Sequence, residues 1–209
     1  MEFLLIAATK EEIKPFFQTG NGKIDLLITG VGVPATIYAL QKKITEKKYA
    51  LVLQAGIAGA FGNELALGEV VLVKEDCFAD IGMEQKNNFT SIFETKLADK
   101  NHFPYNDGWL INNRLVIDKI PVKAVRAVTI NKVSDSKKQK AMLLKKFSAQ
   151  IETMEGAALH YVCLQEKIPF LQIRSISNYV GERDKSKWEM KVAISNLNKE
   201  LKIFLNPRK

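Results

Sequence analysis

The sequence has little cysteine, histidine or arginine, and it has no long apolar run. Two cysteines, Cys77 and Cys163, and two histidines occur among 209 residues, with no C-x-x-C or H-E-x-x-H motif. This scarcity argues against a disulfide scaffold and a zinc centre, so we expect reduced cysteines and no metal. Apolar runs such as residues 3–8 are too short to span a bilayer, and no basic segment precedes the first of them. We therefore expect a cytoplasmic protein without a membrane partner.

The scarcity of arginine also changes the meaning of the net charge, which is +8 from 31 Lys and Arg against 23 Asp and Glu. Only five of the 31 basic residues are Arg, the side chain that makes two-point contacts with bases and phosphates. The lysines come in short clusters, such as residues 42–43 and 145–146, at spacings typical of solvated helix faces. We interpret the charge as a solvated surface and expect no nucleic-acid partner.

The composition is typical of a globular protein, and strand-like and helix-like patterns alternate along the chain. Apolar residues make up 46% and charged residues 26%, which fits one domain over residues 1–209 with a full core. Short apolar runs predict strands at residues 3–8, 24–29, 50–54, 69–74, 122–130 and 169–177. Helical patterns follow from residue 34, over residues 134–147, from near residue 153, and from the capping-box spacing of residues 186–189. The alternation predicts an α/β fold, a three-layer α/β/α arrangement with a mixed, largely parallel central sheet.

Ligands of such sheets bind beyond the carboxyl ends of the strands. The segments at these ends are residues 9–12, 30–32, 56–62, 131–134 and 178–184. Residues 30–35 almost match the G-x-G-x-x-G/A dinucleotide motif, but Gln54 stands where the motif needs an acid. We therefore expect no dinucleotide cofactor, and the turn is either structural or a close approach to another anionic or ribosyl ligand. We expect the irregular residues 80–109 to form either a lid or an oligomer contact.

Two carboxylates occupy positions that suit chemistry. Glu12 ends a T-x-x-E capping-box spacing directly after the first predicted strand, where it either caps its own helix or activates water. Glu155 stands in the first turn of a predicted helix, where the helix dipole stabilises an anion, and small residues follow it. An ionised Glu can accept hydrogen bonds from two hydroxyls at once, as a ribose diol requires. Spacing alone leaves both alternatives open.

These carboxylates are part of a longer pattern. Glu12, the glycine turn at 56–59, the Met-Glu-Gly-Ala-Ala segment at 154–158 and the Arg-Ser-Ile-Ser-Asn segment at 174–178 follow in that order. Over nearly the whole chain the pattern resembles the nucleoside phosphorylase/nucleosidase family of enzymes that cleave purine N-ribosides. The resemblance implies a nucleoside phosphorylase-like fold, a small-molecule nucleoside substrate and a homodimer or higher homo-oligomer.

The same resemblance implies roles for single residues. It places Glu12 where nucleosidases keep the carboxylate that activates water, Met154 where a thioether packs against the ribose, and Glu155 where the 2′- and 3′-hydroxyls bind. Gly56 and Ile57 fall in a turn that is expected to bind substrate. Ile57 departs from the methylthioadenosine nucleosidases, which have a serine at this position.

Asn178 is the second position that departs from the methylthioadenosine nucleosidases, and the difference affects which base can be recognised. Methylthioadenosine nucleosidases are expected to have an aspartate here, which protonates the departing adenine. Hypoxanthine presents acceptors at both N7 and O6, which an ionised Asp would oppose and the amide of Asn178 can satisfy. A mismatch would leave a buried polar group unpaired, at a cost of roughly 1–3 kcal/mol. Asn178 therefore indicates a 6-oxopurine leaving group.

Within the family, the resemblance is closest to the branch that cleaves futalosine, a 6-oxopurine nucleoside whose 5′ extension carries an aromatic carboxylate. Residues 177–184, Trp188 and residues 79–84 carry this likeness, which implies a step in menaquinone biosynthesis. Arg183 would pair with the carboxylate and Trp188 would stack on the aromatic ring. Alternatively, Arg183 pairs with a neighbouring acid and Trp188 is the first core residue of the C-terminal helix.

Three other functions stay open. A methylthioadenosine/adenosylhomocysteine nucleosidase is disfavoured by Asn178. A 6-oxopurine nucleoside phosphorylase is compatible with Asn178, but it needs phosphate anchors, and neither glycine turn contains an arginine. A non-catalytic purine-nucleoside binding protein is the third alternative.

Overall fold

The computed structural model of the chain describes residues 2–17, 24–86, 88–113, 121–182 and 184–205. Within these ranges ten strands and five helices follow one another. The strands are β1 (Phe3–Ala7), β2 (Ile24–Ile28), β3 (Leu51–Ala60), β4 (Val70–Asp76), β5 (Gly82–Gln85), β6 (Asn88–Ser91), β7 (Leu110–Ile111), β8 (Lys123–Thr129), β9 (Ile151–Thr153) and β10 (Phe170–Tyr179). The helices are α1 (Lys10–Phe17), α2 (Val33–Glu46), α3 (Lys137–Phe147), α4 (Gly156–Gln165) and α5 (Met190–Leu205).

The long strand β3 organises the main sheet. It pairs in parallel with β10 along one edge, and on its other edge β1 pairs in parallel with its first half. The short strand β9 pairs antiparallel with its last two residues, Gly59 and Ala60. On its far edge β10 pairs with β4, β4 pairs with β8, and β8 pairs with β9. The five strands β3, β10, β4, β8 and β9 therefore form a closed ring, and β1 and β2 extend the sheet from β3. The sheet is mixed and largely parallel, as the sequence predicted.

Helices cover both faces of the sheet because its strands are apolar on both faces. In β1, Leu5 packs on one face against Ile13 of α1 and Leu197 of α5. The alternate residue Leu4 packs on the other face with Leu40 of α2 and Leu159 of α4. This alternation is the two-residue period of a strand, and burial on both sides is typical of parallel sheets. The predicted three-layer α/β/α fold is therefore confirmed.

Two local predictions were wrong, one strand was missed, and one helix begins later than expected. The glycine segment that was expected to turn after residue 54 is extended, and β3 runs through it to Ala60, because Gly56 and Gly59 pair with β10. The strand β9 was missed, and the helix expected from near Thr153 begins at Gly156. The capping-box spacing at 186–189 does not open α5. Instead the Asp184 side chain accepts from the Ser186 N–H and caps a 3-10 turn over Lys185–Lys187.

Several smaller features complete the described fold. Residues 80–109 include the hairpin of β5 and β6, which stands outside the main sheet. Both cysteines are buried free thiols. In the described part of the chain, no helix has the length and apolar character needed to cross a membrane, and no group of three or more metal-binding side chains occurs.

A buried polar network lies inside the fold between β4, β10 and α4. Asp76 accepts from the Thr129 hydroxyl at 2.9 Å through Oδ1. With its amide nitrogen facing His160, Gln172 donates to Nε2 of that ring at 2.9 Å and to Oδ2 of Asp76 at 3.3 Å. Burial raises the pKa of Asp76 to about 7, and burial lowers the pKa of His160 to about 4. The folded state therefore favours the uncharged form of both groups.

We expect Asp76→Asn to remove one component of the pH dependence of stability. The raised pKa means that the folded state keeps a proton that the unfolded state releases, so this stabilisation is lost as the pH rises toward 7. Relative to the variant, the wild-type free energy of unfolding should fall by up to about 1.4 kcal/mol per pH unit between about pH 5 and 7. Urea unfolding of both proteins measures the difference. A difference that does not change with pH would show that the Asp76 carboxyl titrates normally.

Candidate active site

A cavity of about 290 Å³ lies at the carboxyl ends of β1, β3, β9 and β10. Six residues that the sequence singled out line it, namely Glu12, Ile57, Met154, Glu155, Asn178 and Trp188. Gly56 directly precedes Ile57 but is not a lining residue, and Arg183 lies outside the described residues. A larger cavity of about 470 Å³, between the β5–β6 hairpin and α3, contains none of the six. The smaller cavity is therefore the candidate site.

Glu12 uses its two carboxylate oxygens differently. Oε2 accepts from the Thr9 N–H at 3.0 Å and from the Thr9 hydroxyl at 3.2 Å, which is the glutamate half of a capping box at the start of α1. Oε1 accepts from the Ile57 N–H of β3 at 3.1 Å. The helix cap therefore holds the carboxylate against β3 at the cavity wall. The two interpretations of the T-x-x-E spacing are compatible, because a carboxylate can accept several hydrogen bonds.

Gly56 is required by close approach rather than by a turn. A Cβ atom at this position would lie 2.2 Å from Nη1 of Arg174 and 2.9 Å from Oε1 of Glu12. The first contact is far shorter than non-bonded atoms tolerate, so a larger residue would displace the guanidinium, the carboxylate or both. Gly56 thus makes room for the charged groups behind the cavity.

Glu155 is held by a glycine turn and by a buried cation. Its Oε1 accepts from the Gly32 N–H at 3.0 Å, and its Oε2 lies 3.7 Å from Nη1 of Arg174. Gly32 has a φ of 92°, a left-handed conformation that favours glycine. Burial raises the pKa of Glu155, while the Arg174 guanidinium and the Gly32 N–H oppose the rise. The glycine turn that resembles a dinucleotide motif therefore contacts a carboxylate of this chain.

Arg174 is a buried cation behind this site that was not selected from the sequence as a site residue. It is only 1% exposed, and Nη2 donates to Oε1 of Gln54 at 2.8 Å. A signal was present, because an arginine inside the apolar strand β10 must be paired if that strand is buried. In the sequence, Arg174 stood out only as part of the Arg-Ser-Ile-Ser-Asn segment.

A β-bulge in β10 determines the face of the strand on which the Asn178 side chain lies. The register of β10 against β3 runs evenly up to Ile176, and the next pair joins Asn178 to Gly59, so Ser177 is the extra residue. A bulge of this kind changes the face on which the following side chain lies. The Ser177 hydroxyl donates to Oδ1 of Asn178 at 2.8 Å, and Nδ2 makes one long bond, to the Tyr179 carbonyl at 3.3 Å. The amide nitrogen is thus the side of Asn178 with donor capacity to spare.

Trp188 lies between the 3-10 turn and α5, and it is half-buried at the cavity. Its Nε1 donates to the Glu182 carbonyl at 3.0 Å. Because α5 begins at Met190, Trp188 is not a core residue of that helix. Met154 and Ile57 are also half-buried and supply apolar surface to the same cavity.

The fold and the cavity define an α/β protein with paired carboxylates and an amide at the ends of its strands. Residues 8–206 match the phosphorylase superfamily, and the chain belongs to this family. It is 30% identical to futalosine hydrolase of Thermus thermophilus, over 86% of this chain and 80% of that protein. These matches make the chain an N-glycosyl hydrolase.

Other relatives have a different substrate in their names. The chain is 24% identical to 5′-methylthioadenosine/S-adenosylhomocysteine nucleosidase of Buchnera aphidicola, over 88% of this chain and 79% of that protein. The crystal structure of the Helicobacter pylori enzyme of the same name, with butyl-thio-DADMe-Immucillin-A, superposes with a TM-score of 0.81. At 18% identity, and with 99% of both chains covered, this structure shows the shared fold alone.

Proposed function

We propose that the chain hydrolyses the N-ribosidic bond of futalosine and releases hypoxanthine, a step in menaquinone biosynthesis. The observation that supports this substrate is the amide of Asn178 in the candidate cavity, with Nδ2 as its open donor. An amide donor suits the N7 and O6 acceptors of a 6-oxopurine. The likeness to a futalosine hydrolase agrees with this choice.

Hydrolysis rather than phosphorolysis suits the charges around the cavity. None of the described residues that line it is Lys, Arg or His. The buried guanidinium of Arg174 is already engaged by Glu155 and Gln54. A phosphate nucleophile would require cationic or N–H anchors, whereas water requires only a base.

In the proposed reaction, the C1′–N9 bond breaks through an oxocarbenium-like transition state. Glu12 orients a water molecule, accepts one of its protons, and thereby delivers hydroxide to C1′. The bond electrons leave with the base, and the Asn178 amide stabilises this negative charge at N7 and O6. The base then takes a proton from solvent and leaves as neutral hypoxanthine, and Glu12 returns its proton to solvent. Glu155 accepts hydrogen bonds from the 2′- and 3′-hydroxyls, and Met154 packs against the ribose. General-base assistance of this kind is typically worth about 10²- to 10⁴-fold.

The 5′ extension of futalosine needs an apolar surface and a cation. Trp188 is proposed to stack on the aromatic ring of the extension, because it is half-buried at the cavity. The binding of the carboxylate by Arg183 remains a prediction.

We further propose that residues 1–209 form a single nucleosidase domain. We propose that it acts in the cytoplasm as a homodimer or higher homo-oligomer, without nucleic-acid or membrane partners.

A methylthioadenosine/adenosylhomocysteine nucleosidase is the second candidate, because relatives with that name match the chain almost as well. An adenine leaving group carries a 6-amino donor where hypoxanthine has an acceptor. The donor side of the Asn178 amide would then face another donor, at a cost of roughly 1–3 kcal/mol. Asn178 therefore favours futalosine.

Glu12→Gln should lower kcat for futalosine by about 10²- to 10⁴-fold, because an amide cannot accept the proton of the attacking water. The assay is hypoxanthine release in phosphate-free buffer, with thermal unfolding to verify the fold. Glu46→Gln, the same change in the last turn of α2, is the matched control and should retain the wild-type rate. A Glu12→Gln rate within a few-fold of wild type would exclude Glu12 as the base.

Asn178→Asp should shift base preference toward adenine. A carboxylate opposes the lone pairs of N7 and O6, whereas its protonated form can serve an adenine base. The ratio of kcat/KM for futalosine to that for methylthioadenosine should fall by about tenfold or more. Asn101→Asp, on an exposed loop, should leave the ratio unchanged. If the Asn178→Asp ratio is also unchanged, Asn178 does not select the base.

A further inference from the structure

A further carboxylate, Glu152, lines the candidate cavity without a complete set of partners. Its Oε1 accepts from the Ser134 N–H at 3.1 Å. Its Oε2 makes no hydrogen bond, although the residue is only 6% exposed. A buried carboxylate oxygen without a donor costs free energy, and native proteins rarely leave one unsatisfied without a reason. A donor on the ligand would supply the missing partner.

The sheet places Glu152 opposite Asn178. Gly59 of β3 pairs with Glu152 of β9 on one side and with Asn178 of β10 on the other. Paired residues of adjacent strands lie on the same face, and a Cβ at Gly59 would lie 3.4 Å from Nδ2 of Asn178. Two strand spacings, roughly 10 Å, therefore separate the backbones of the polar residues, and the glycine between them has no side chain. This arrangement leaves room for a flat ring between an acceptor and a donor.

The chemistry of the purine edge decides what such a pair recognises. A 6-oxopurine has acceptors at N7 and O6 and a donor at N1–H. An adenine base has a lone pair at N1, which an ionised carboxylate would oppose. A donor at one side of the slot and an acceptor at the other therefore match the 6-oxopurine pattern.

We propose that Oε2 of Glu152 accepts the N1–H of a 6-oxopurine base, and that Glu152 determines base specificity together with Asn178. This inference rests on the proposed function, because it deepens the assignment of the same cavity. The Ser134 N–H holds Oε1 and so fixes the carboxylate. Burial raises the pKa of Glu152, and the hydrogen bond from the Ser134 N–H opposes the rise.

Glu152→Gln tests the proposal through the free bases, so the test does not depend on futalosine cleavage. Gln can keep an acceptor toward Ser134 while it presents a donor in place of Oε2. Measured by calorimetry, hypoxanthine affinity should fall by about tenfold or more, and adenine affinity should stay level or rise. Glu46→Gln should change neither affinity. Equal losses for both bases, or no loss for hypoxanthine, would overturn the proposal.

The wild-type protein offers a test that needs no variant. Hypoxanthine should bind about tenfold or more tightly than 1-methylhypoxanthine, which lacks the N1–H. Equal binding of these bases, or binding of neither, would overturn the proposal. If futalosine is not cleaved but base preference changes in Glu152→Gln, the proposed substrate is wrong and the role of Glu152 stands.

Discussion

The guanidinium of Arg174 lies inside the sheet at 1% exposure, and a charge in that position is tolerated only when neighbouring groups compensate it. Gln54 accepts from Nη2 at 2.8 Å, and Glu155 lies 3.7 Å from Nη1. Gln172 accepts from Nε at 3.2 Å with its amide oriented toward His160. Because leaving any of these groups unpaired would cost several kcal/mol, Arg174 fixes β3, β10 and the start of α4 relative to one another.

Glycines make this arrangement possible. Gly56 leaves space for the Arg174 guanidinium beside Glu12, and Gly32 adopts the conformation that brings its N–H to Glu155. Gly156 has the same function at the start of α4, since a Cβ there would lie 2.1 Å from Oδ2 of Asp76. The wall of the cavity therefore depends on buried polar and charged groups behind it, for which these glycines leave space.

Much of the fold could be predicted because strands buried on both faces are continuously apolar, as residues 3–7 are. The prediction failed where backbone geometry depends on distant partners. Gly56 and Gly59 suggested a turn, but pairing with β10 keeps them extended. The bulge at Ser177 has no local signature, and β9 has only three residues. Glu152 was overlooked because its unpaired oxygen is visible only in three dimensions.

The most direct test of the account is the rate of hypoxanthine release from futalosine by the purified protein, with and without phosphate and beside methylthioadenosine. We expect release in phosphate-free buffer at a rate that phosphate does not change, with futalosine cleaved faster than methylthioadenosine. Strict dependence on phosphate, or methylthioadenosine cleaved at least as fast as futalosine, would contradict the account.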